Sequence, residues 1–248
     1  MSQEKARLRM FAGPNGSGKS VLKSYLPESL LGVYLNPDEI EASLKVHGYV
    51  DMRTFDVHTT KDEVLPLFTK SNLLTQQKLA EAARSLSFAE DRLYFPPATI
   101  SSYFASVLAD FLRQKLLAAR RNFTFETVMS HPSKVSLLQQ AQEAGYRTYL
   151  YYVATDDPAI NISRVENRVK LHGHDVPAER VEARYHRSLD LLMSAIRVTN
   201  RAYIFDNSTD NADHSHTWLA EITDGRRLEL KTDQIPEWFK RSVLDKIA

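Results

Sequence analysis

Eight residues near the start, Gly13-Pro14-Asn15-Gly16-Ser17-Gly18-Lys19-Ser20, carry the spacing G-x-x-x-x-G-K-[ST]. A short apolar run, Leu8-Arg9-Met10-Phe11-Ala12, precedes them, and a helix-compatible stretch, Val21-Leu22-Lys23-Ser24-Tyr25-Leu26, follows. Phosphate recognition needs that context: a strand, a tight glycine-rich turn and a helix start whose backbone N–H groups face an anion. Gly13, Gly16 and Gly18 free the backbone to wrap closely, with Pro14, Asn15 and Ser17 completing the loop. Lys19 would place a point charge on the β- and γ-phosphates, and the Ser20 hydroxyl would hold Mg²⁺. The chemistry expected is binding of a nucleoside triphosphate, ATP with Mg²⁺.

Transfer of a phosphoryl group to an alcohol also needs a carboxylate that accepts the hydroxyl proton. Three acidic residues end apolar runs: Asp38 after Val33-Tyr34-Leu35-Asn36-Pro37, Glu126 after Phe123-Thr124-Phe125, and Asp206 after Ala202-Tyr203-Ile204-Phe205. Each could equally be a helix cap or a turn residue. Asp38, ending the strand next in sequence after the loop, is the expected base. Glu126, with Thr127 beside it, would serve the Mg²⁺ waters or the acceptor hydroxyls. Asp206-Asn207-Ser208 is assigned to the nucleotide, with Asn207 as its contact.

Developing phosphoryl charge also calls for guanidinium donors. Arg164 and Arg168 are four apart on one helix face, and Arg184 and Arg187 share a second. The competing account is a solvated basic face paired with Glu166, Glu179 and Glu182. The position of the cluster, between the fourth and fifth strands, favours a lid over residues 161–188. His172 and His174 lack acidic partners at ligand spacing and are read as part of that lid.

The elements that must position these groups follow from the alternation of short apolar runs and longer helical patterns, which indicates a helix-covered parallel sheet. Strands are expected at residues 8–12, 32–35, 123–126, 146–154 and 202–205. The fold class is therefore α/β, a three-layer P-loop NTPase fold with a five-stranded parallel core. One helix starts beyond Pro37, and another over 134–144 ends at Gly145. Residues 51–121 read as a helical insertion between the second and third strands, with amphipathic stretches at 72–87 and 101–121 separated by Pro96-Pro97. Asp224-Gly225 marks a C-terminal hairpin. With no repeat or flexible linker, one domain over 1–248 is expected.

Composition narrows the partners. Lys and Arg total 32 against 31 for Asp and Glu, so no global field draws the chain to nucleic acid or an acidic membrane. The absence of cysteine excludes disulfides, thiol catalysis and cysteine-ligated zinc. No stretch approaches the roughly eighteen apolar residues of a membrane span, and Met1–Arg7 carries no apolar leader segment, so the expected location is the cytoplasm.

Together these segments resemble the zeta-toxin family of P-loop kinases, in its larger-insertion branch labelled predicted ABC-type ATPases. The resemblance rests on Phe11 to Ser20, Leu35-Asn36-Pro37-Asp38-Glu39-Ile40, Phe125-Glu126-Thr127-Val128, Ala144-Gly145-Tyr146-Arg147 and Arg164-Val165 with Arg168-Val169. Gly173-His174-Asp175-Val176-Pro177, Arg184-Tyr185 with Arg187-Ser188, and Asp206-Asn207-Ser208 extend it, and it covers 8–50 and 122–208. It implies ATP- and Mg²⁺-dependent phosphorylation of a sugar hydroxyl, with UDP-N-acetylglucosamine as acceptor and a small antitoxin as partner. The family's aspartate falls on Asp38, its substrate-contacting glutamate on Glu126, and its arginines among Arg164, Arg168 and Arg184. The insertion at 51–121 matches nothing in the family and would cover the acceptor site. An ATP-binding or ATPase module and a polynucleotide or RNA-end kinase stay open as alternatives. The signature Leu-Ser-Gly-Gly-Gln of transporter-type ATPases and the Asn-Lys-x-Asp of GTPases do not occur.

Overall fold

The computed structural model describes residues 5–170, 176–209 and 216–247. The chain divides into two compact units, one formed by the segments up to Leu31 and from Thr124 onward, the other by Gly32–Phe123. All five expected strands are present: β1 (Arg7–Ala12), β2 (Val33–Leu35), β6 (Phe123–Thr127), β7 (Arg147–Ala154) and β8 (Arg201–Asp206). Three short strands lie within the second unit: β3 (Tyr49–Asp51), β4 (Ser87–Ala89) and β5 (Arg92–Tyr94). The C-terminal hairpin is β9 (Thr217–Thr223) and β10 (Arg227–Leu230).

In the first unit the strand order is β10-β9-β8-β7-β1-β6. Strand β7 pairs parallel with β1, Met10 opposite Leu150, and with β8, Tyr152 opposite Ile204. A strand flanked on both sides by parallel neighbours must be apolar on both faces. Accordingly Leu150, Tyr152, Val153 and Ala154 are buried, as are Leu8, Met10, Phe11 and Ala12 of β1. Strand β9 runs antiparallel to β8, and β10 antiparallel to β9. Asp224 and Gly225 both adopt positive φ at that turn, which is why the Asp-Gly pair is legible as a hairpin signal.

The helix Ala178–Arg197 buries Val181, Tyr185, Ser188, Leu192 and Ile196, one stripe at helical spacing. The helix Ser133–Glu143 ends in a Schellman motif: Tyr146 N–H donates to Ala141 O and Gly145 N–H to Gln142 O, with Gly145 at φ 85°. The stretch after the phosphate loop differs from expectation. Lys19–Tyr25 is 3₁₀ rather than α-helical, and Leu26 is extended at φ −121°, ψ 138°. Pro27 accounts for the extended Leu26 and so for where the stretch ends, because its ring disfavours the α region for the residue before it.

The second unit, Gly32–Phe123, is more than a helical insertion. Strands β3, β5 and β4 form a three-stranded antiparallel sheet that no periodicity in the sequence announces. The β4–β5 turn uses Glu90 and Asp91, both at positive φ, without the glycine or asparagine that normally marks such a turn. The expected helix over 72–87 is broken into Asn72–Gln76 and Ala80–Ala83, with Lys78 between them at φ 59°. The helix Ser102–Ala118 matches its expectation and contributes Phe104 to an aromatic core with Phe68 and Phe95. Among the described residues no helix is long and apolar enough to cross a membrane.

Candidate functional site

The phosphate loop leaves β1 at Gly13, whose φ is 145°. A Cβ at Gly13 would lie 2.0 Å from the Val153 carbonyl oxygen of β7, so the loop can turn this close to the sheet only with glycine. Gly18, at φ 92°, is equally constrained: a Cβ there would lie 2.5 Å from Asn207 Nδ2 and 2.9 Å from His216 Nε2.

Side chains from three elements hold the loop. Asn161, fully buried on the helix Pro158–Lys170, donates from Nδ2 to Asn15 O at 2.5 Å and accepts at Oδ1 from Thr155 Oγ1. Asn207, just past β8, donates from Nδ2 to Ser17 O at 2.9 Å. Its own backbone is fixed in turn: its N–H donates to Ala154 O at 2.8 Å, and its carbonyl accepts from Arg164 Nη1 at 2.8 Å. The carbonyls of Asn15 and Ser17 are thereby held by side-chain amides, while Ser17 N–H is bonded to Pro14 O within the loop. Lys19 Nζ donates to Pro14 O at 2.7 Å, so the ammonium is already folded over the loop.

Two buried polar atoms in this loop, Ser17 Oγ and Asn15 Oδ1, have no hydrogen-bond partner among the described residues. The same is true of both ring nitrogens of His216. That imidazole lies edge-on to Tyr25, with centroids 5.5 Å apart, and near Phe205 at 6.2 Å. Burial pushes its pKa down to about 4, Arg164 adds repulsion, and Asp206 opposes them, so the ring is neutral at physiological pH.

Glu126 is buried at the C-terminal end of β6, the strand beside β1. The Thr127 hydroxyl beside it accepts from Met129 N–H at 3.1 Å. Ser188 Oγ donates to Val128 O at 2.8 Å, and Tyr185 OH donates to Thr155 O at 2.6 Å. One helix thus pins the loops after β6 and β7, the two strands flanking β1. Arg184 is half-buried on that helix, and Arg168 is exposed on the helix Pro158–Lys170. His172, Gly173 and His174 lie outside the described residues.

Asp206 takes the turn role that the sequence also allowed it. Its carboxylate accepts from Ser208 N–H at 3.0 Å, Ser208 Oγ at 2.7 Å and Trp238 Nε1 at 2.7 Å, so it shapes its own loop. Asn207, its neighbour, is the residue that reaches the phosphate loop.

Asp38 belongs to the second unit. Asn36 caps the helix Pro37–His47, its Oδ1 accepting from Asp38 N–H at 2.9 Å, and Pro37 occupies the first turn where its missing N–H costs nothing. The Asp38 carboxylate is exposed at the helix start.

For Mg²⁺, no group of three or more acidic or histidine side chains among the described residues is arranged to hold a metal ion. That fits a cation which keeps most of its waters and takes one protein hydroxyl plus phosphate oxygens. Ser20, exposed directly after Lys19, supplies such a hydroxyl.

Sequence reasoning missed Asn161 and His216. Their contacts join residues 146 and 191 positions apart, in the Asn161–Asn15 and His216–Tyr25 bonds, and no local pattern encodes them.

The Zeta toxin family model matches residues 96–218. That match starts beyond the phosphate loop and Asp38, which the sequence supplies independently. No curated protein matches the chain. Among solved structures, a native complex of AvrRxo1-ORF1 and -ORF2 is similar at 17% identity and TM-score 0.54, covering 98% of this chain and 66% of that one. The same complex with sulphate ions gives 14% identity, TM-score 0.53 and coverage of 94% and 62%. With ATP it gives 15% identity, TM-score 0.51 and coverage of 93% and 61%. The chain therefore spans roughly three-fifths to two-thirds of the length of the chains it matches. At these identities the likeness concerns the fold, and it agrees with a mostly parallel α/β sheet ending in an antiparallel hairpin. Over residues 96–218, just under half of the chain, the sequence is similar to the zeta-toxin family.

Proposed function

We propose that this protein is an ATP- and Mg²⁺-dependent kinase that phosphorylates a hydroxyl of a small molecule, a UDP-activated amino sugar such as UDP-N-acetylglucosamine, and acts as a zeta-like toxin. The observation that carries this reading is the phosphate loop itself, complete in sequence and held by Asn161 and Asn207 at the carbonyls of Asn15 and Ser17. The AvrRxo1 complex solved with ATP supports the donor. Its pairing with a second open reading frame supports a small antitoxin as partner.

In this reading the whole chain acts as one kinase domain. The Lys19 ammonium and the loop N–H groups other than that of Ser17, which is bonded to Pro14 O, bind the β- and γ-phosphates, and Asn207 keeps the loop in shape. Ser20 would hold Mg²⁺, which when bound neutralises phosphate charge. Asp38 accepts the proton of the acceptor hydroxyl as its oxygen bonds to the γ-phosphorus and the bond to the β–γ bridging oxygen breaks, releasing ADP. Glu126 and Thr127 orient the acceptor. Arg164, Arg168 and Arg184 stabilise charge on the transferred group, within a lid-like segment over 161–188.

Incubation with labelled ATP and a panel of UDP-sugars tests the reading, with Lys19→Ala as control. Transfer to a UDP-amino sugar that vanishes in the variant is expected. Transfer that is unchanged in Lys19→Ala would refute it.

A further inference from the structure

One face of the sheet in the first unit is built from arginine and tyrosine. Register partners on parallel strands point their side chains the same way, so Arg9 of β1, Tyr149 of β7 and Arg201 of β8 lie side by side. Arg7 and Arg147, opposite each other two residues earlier on β1 and β7, share that face. The alternate residues, among them Leu8, Met10, Leu150 and Tyr152, are buried on the other side. There Tyr152 bonds Ser188 of the helix Ala178–Arg197 at 3.0 Å, so that helix covers the opposite face.

Two guanidinium groups of the arginine face carry buried N–H donors with no hydrogen-bond partner among the described residues, Arg9 Nη1 and Arg201 Nε. Arg9 is only 4% exposed and stacks on Tyr149 at 5.1 Å, while exposed Arg147 lies over the same ring at 5.7 Å. Stacking offsets part of the cost of burying a cation but leaves both donors unmet. Burial holds Arg9 below the ordinary arginine value, and Arg7 adds repulsion. The neighbouring phenol supplies no counter-charge: burial pushes Tyr151 up to about 12, so it is neutral at physiological pH. Glu221 bonds Arg201 Nη1 at 2.8 Å, but it stands three strands from Arg9, roughly 14 Å at sheet spacing.

We propose that this face binds a phosphate group, held by the Arg9 and Arg201 guanidiniums beside Tyr149 and entered past Arg147. Phosphate suits the donors because guanidinium forks meet its oxygens with directed, charge-assisted N–H bonds, and several arginines can serve one dianion. Tyr149 and Arg201 are half-buried, which leaves the group within reach of solvent. The site is separate from the phosphate loop, since Arg9 precedes Gly13 by four residues of extended chain, about 13 Å. It stands whether or not the protein is a kinase.

The test saturates the full chain with a non-hydrolysable ATP analogue, so that the phosphate loop is occupied. Inorganic phosphate and a short oligouridylate are then titrated separately, read by NMR at the Arg201 Nε–H and at the backbone of Arg9 and Tyr149. Saturable shifts at these positions are expected with at least one probe. Arg9→Met keeps a buried stem without the fork and should weaken binding about tenfold or more, with affinity for the ATP analogue unchanged. Arg201→Lys keeps a charge opposite Glu221 and removes the Nε donor, so it should weaken binding in the same way even where Arg9→Met fails to fold. Saturation by inorganic phosphate supports the site and assigns a small phosphate ester, and saturation by oligouridylate alone supports it and assigns a nucleic-acid strand. No shift with either probe overturns the proposal, as do shifts confined to residues 13–20 or shifts that survive both substitutions.

Discussion

The phosphate loop and the start of the helix Pro37–His47 are built in opposite ways. At the loop, side chains face inward to hold backbone: Asn161 and Asn207 bind loop carbonyls, and Gly13 and Gly18 leave no room for a Cβ. In the second unit the backbone carries side chains outward: a helix start capped by Asn36 leaves the Asp38 carboxylate exposed. A triphosphate is the same object in every reaction, so fixed N–H groups suffice for it. An acceptor must be told from its competitors, which takes side-chain shape and charge. Substitutions should therefore damage the loop through geometry and the second unit through chemistry.

The largest effect expected is at the acid assigned as base. Asp38→Ala should lower kcat by roughly 10²–10⁴ while ATP affinity, measured by titration calorimetry, stays near wild type. A large loss of ATP affinity with kcat preserved would move Asp38 to the nucleotide and erase the contrast between the two regions.

Arg164 sharpens the contrast from the other side. Its guanidinium already holds the carbonyl of Asn207, so Arg164→Ala should lower kcat by about 10²-fold and also weaken ATP binding. Exposed Arg168 separates the two accounts of the cluster. A transition-state role lowers kcat in Arg168→Ala with the melting temperature unchanged, and a solvated face leaves both silent.

Asn161→Ala should weaken ATP binding about tenfold, since it removes one buried amide clamp and leaves the acceptor KM alone. Equal losses for ATP and acceptor would mean the residue supports the fold and not the loop.

The smallest effect is a pH dependence. His216 titrates near its ordinary value when unfolded and near 4 when folded, so the unfolded chain takes up the proton first. Its contribution is complete above about pH 6.5 and is lost as pH falls toward 4. Allowing for screening of a part-exposed ring, the loss is about 1–2 kcal/mol. His216→Phe, which keeps the edge-on contact with Tyr25, should flatten that part of the stability–pH curve relative to wild type. Parallel curves would exclude the assignment.

What was legible in the sequence follows from how each feature is encoded. The phosphate loop could be read because its geometry restricts residue type at fixed spacing, and β1 and β7 because strands buried on both faces must be apolar throughout. The helix start beyond Pro37 and the Asp224-Gly225 turn were readable for the same local reason. The β4–β5 hairpin was not, because Glu90 and Asp91 take left-handed conformations that their types do not advertise. The stop at Leu26 was legible in principle from Pro27, whereas the 3₁₀ geometry of Lys19–Tyr25 was hidden by an otherwise helical pattern. The Asn161 and Asn207 clamps and the His216 contact depend on tertiary placement alone, as does the division at Gly32 and Phe123.

The bond from Lys19 Nζ to Pro14 O has a consequence for turnover. An ammonium tethered to its own loop is stored in position, so an arriving phosphate gains it by exchange, with one acceptor replaced by another. The loss of rotamer freedom that ordering a lysine would otherwise demand, up to about 2 kcal/mol, is met during folding and not at each encounter. In the proposed kinase the carbonyl would take the charge back when the nucleotide leaves, so the ammonium keeps a partner throughout. Replacing Pro14 changes only the residue around that carbonyl, so the tether survives side-chain substitution and yields only to a change in the path of the backbone.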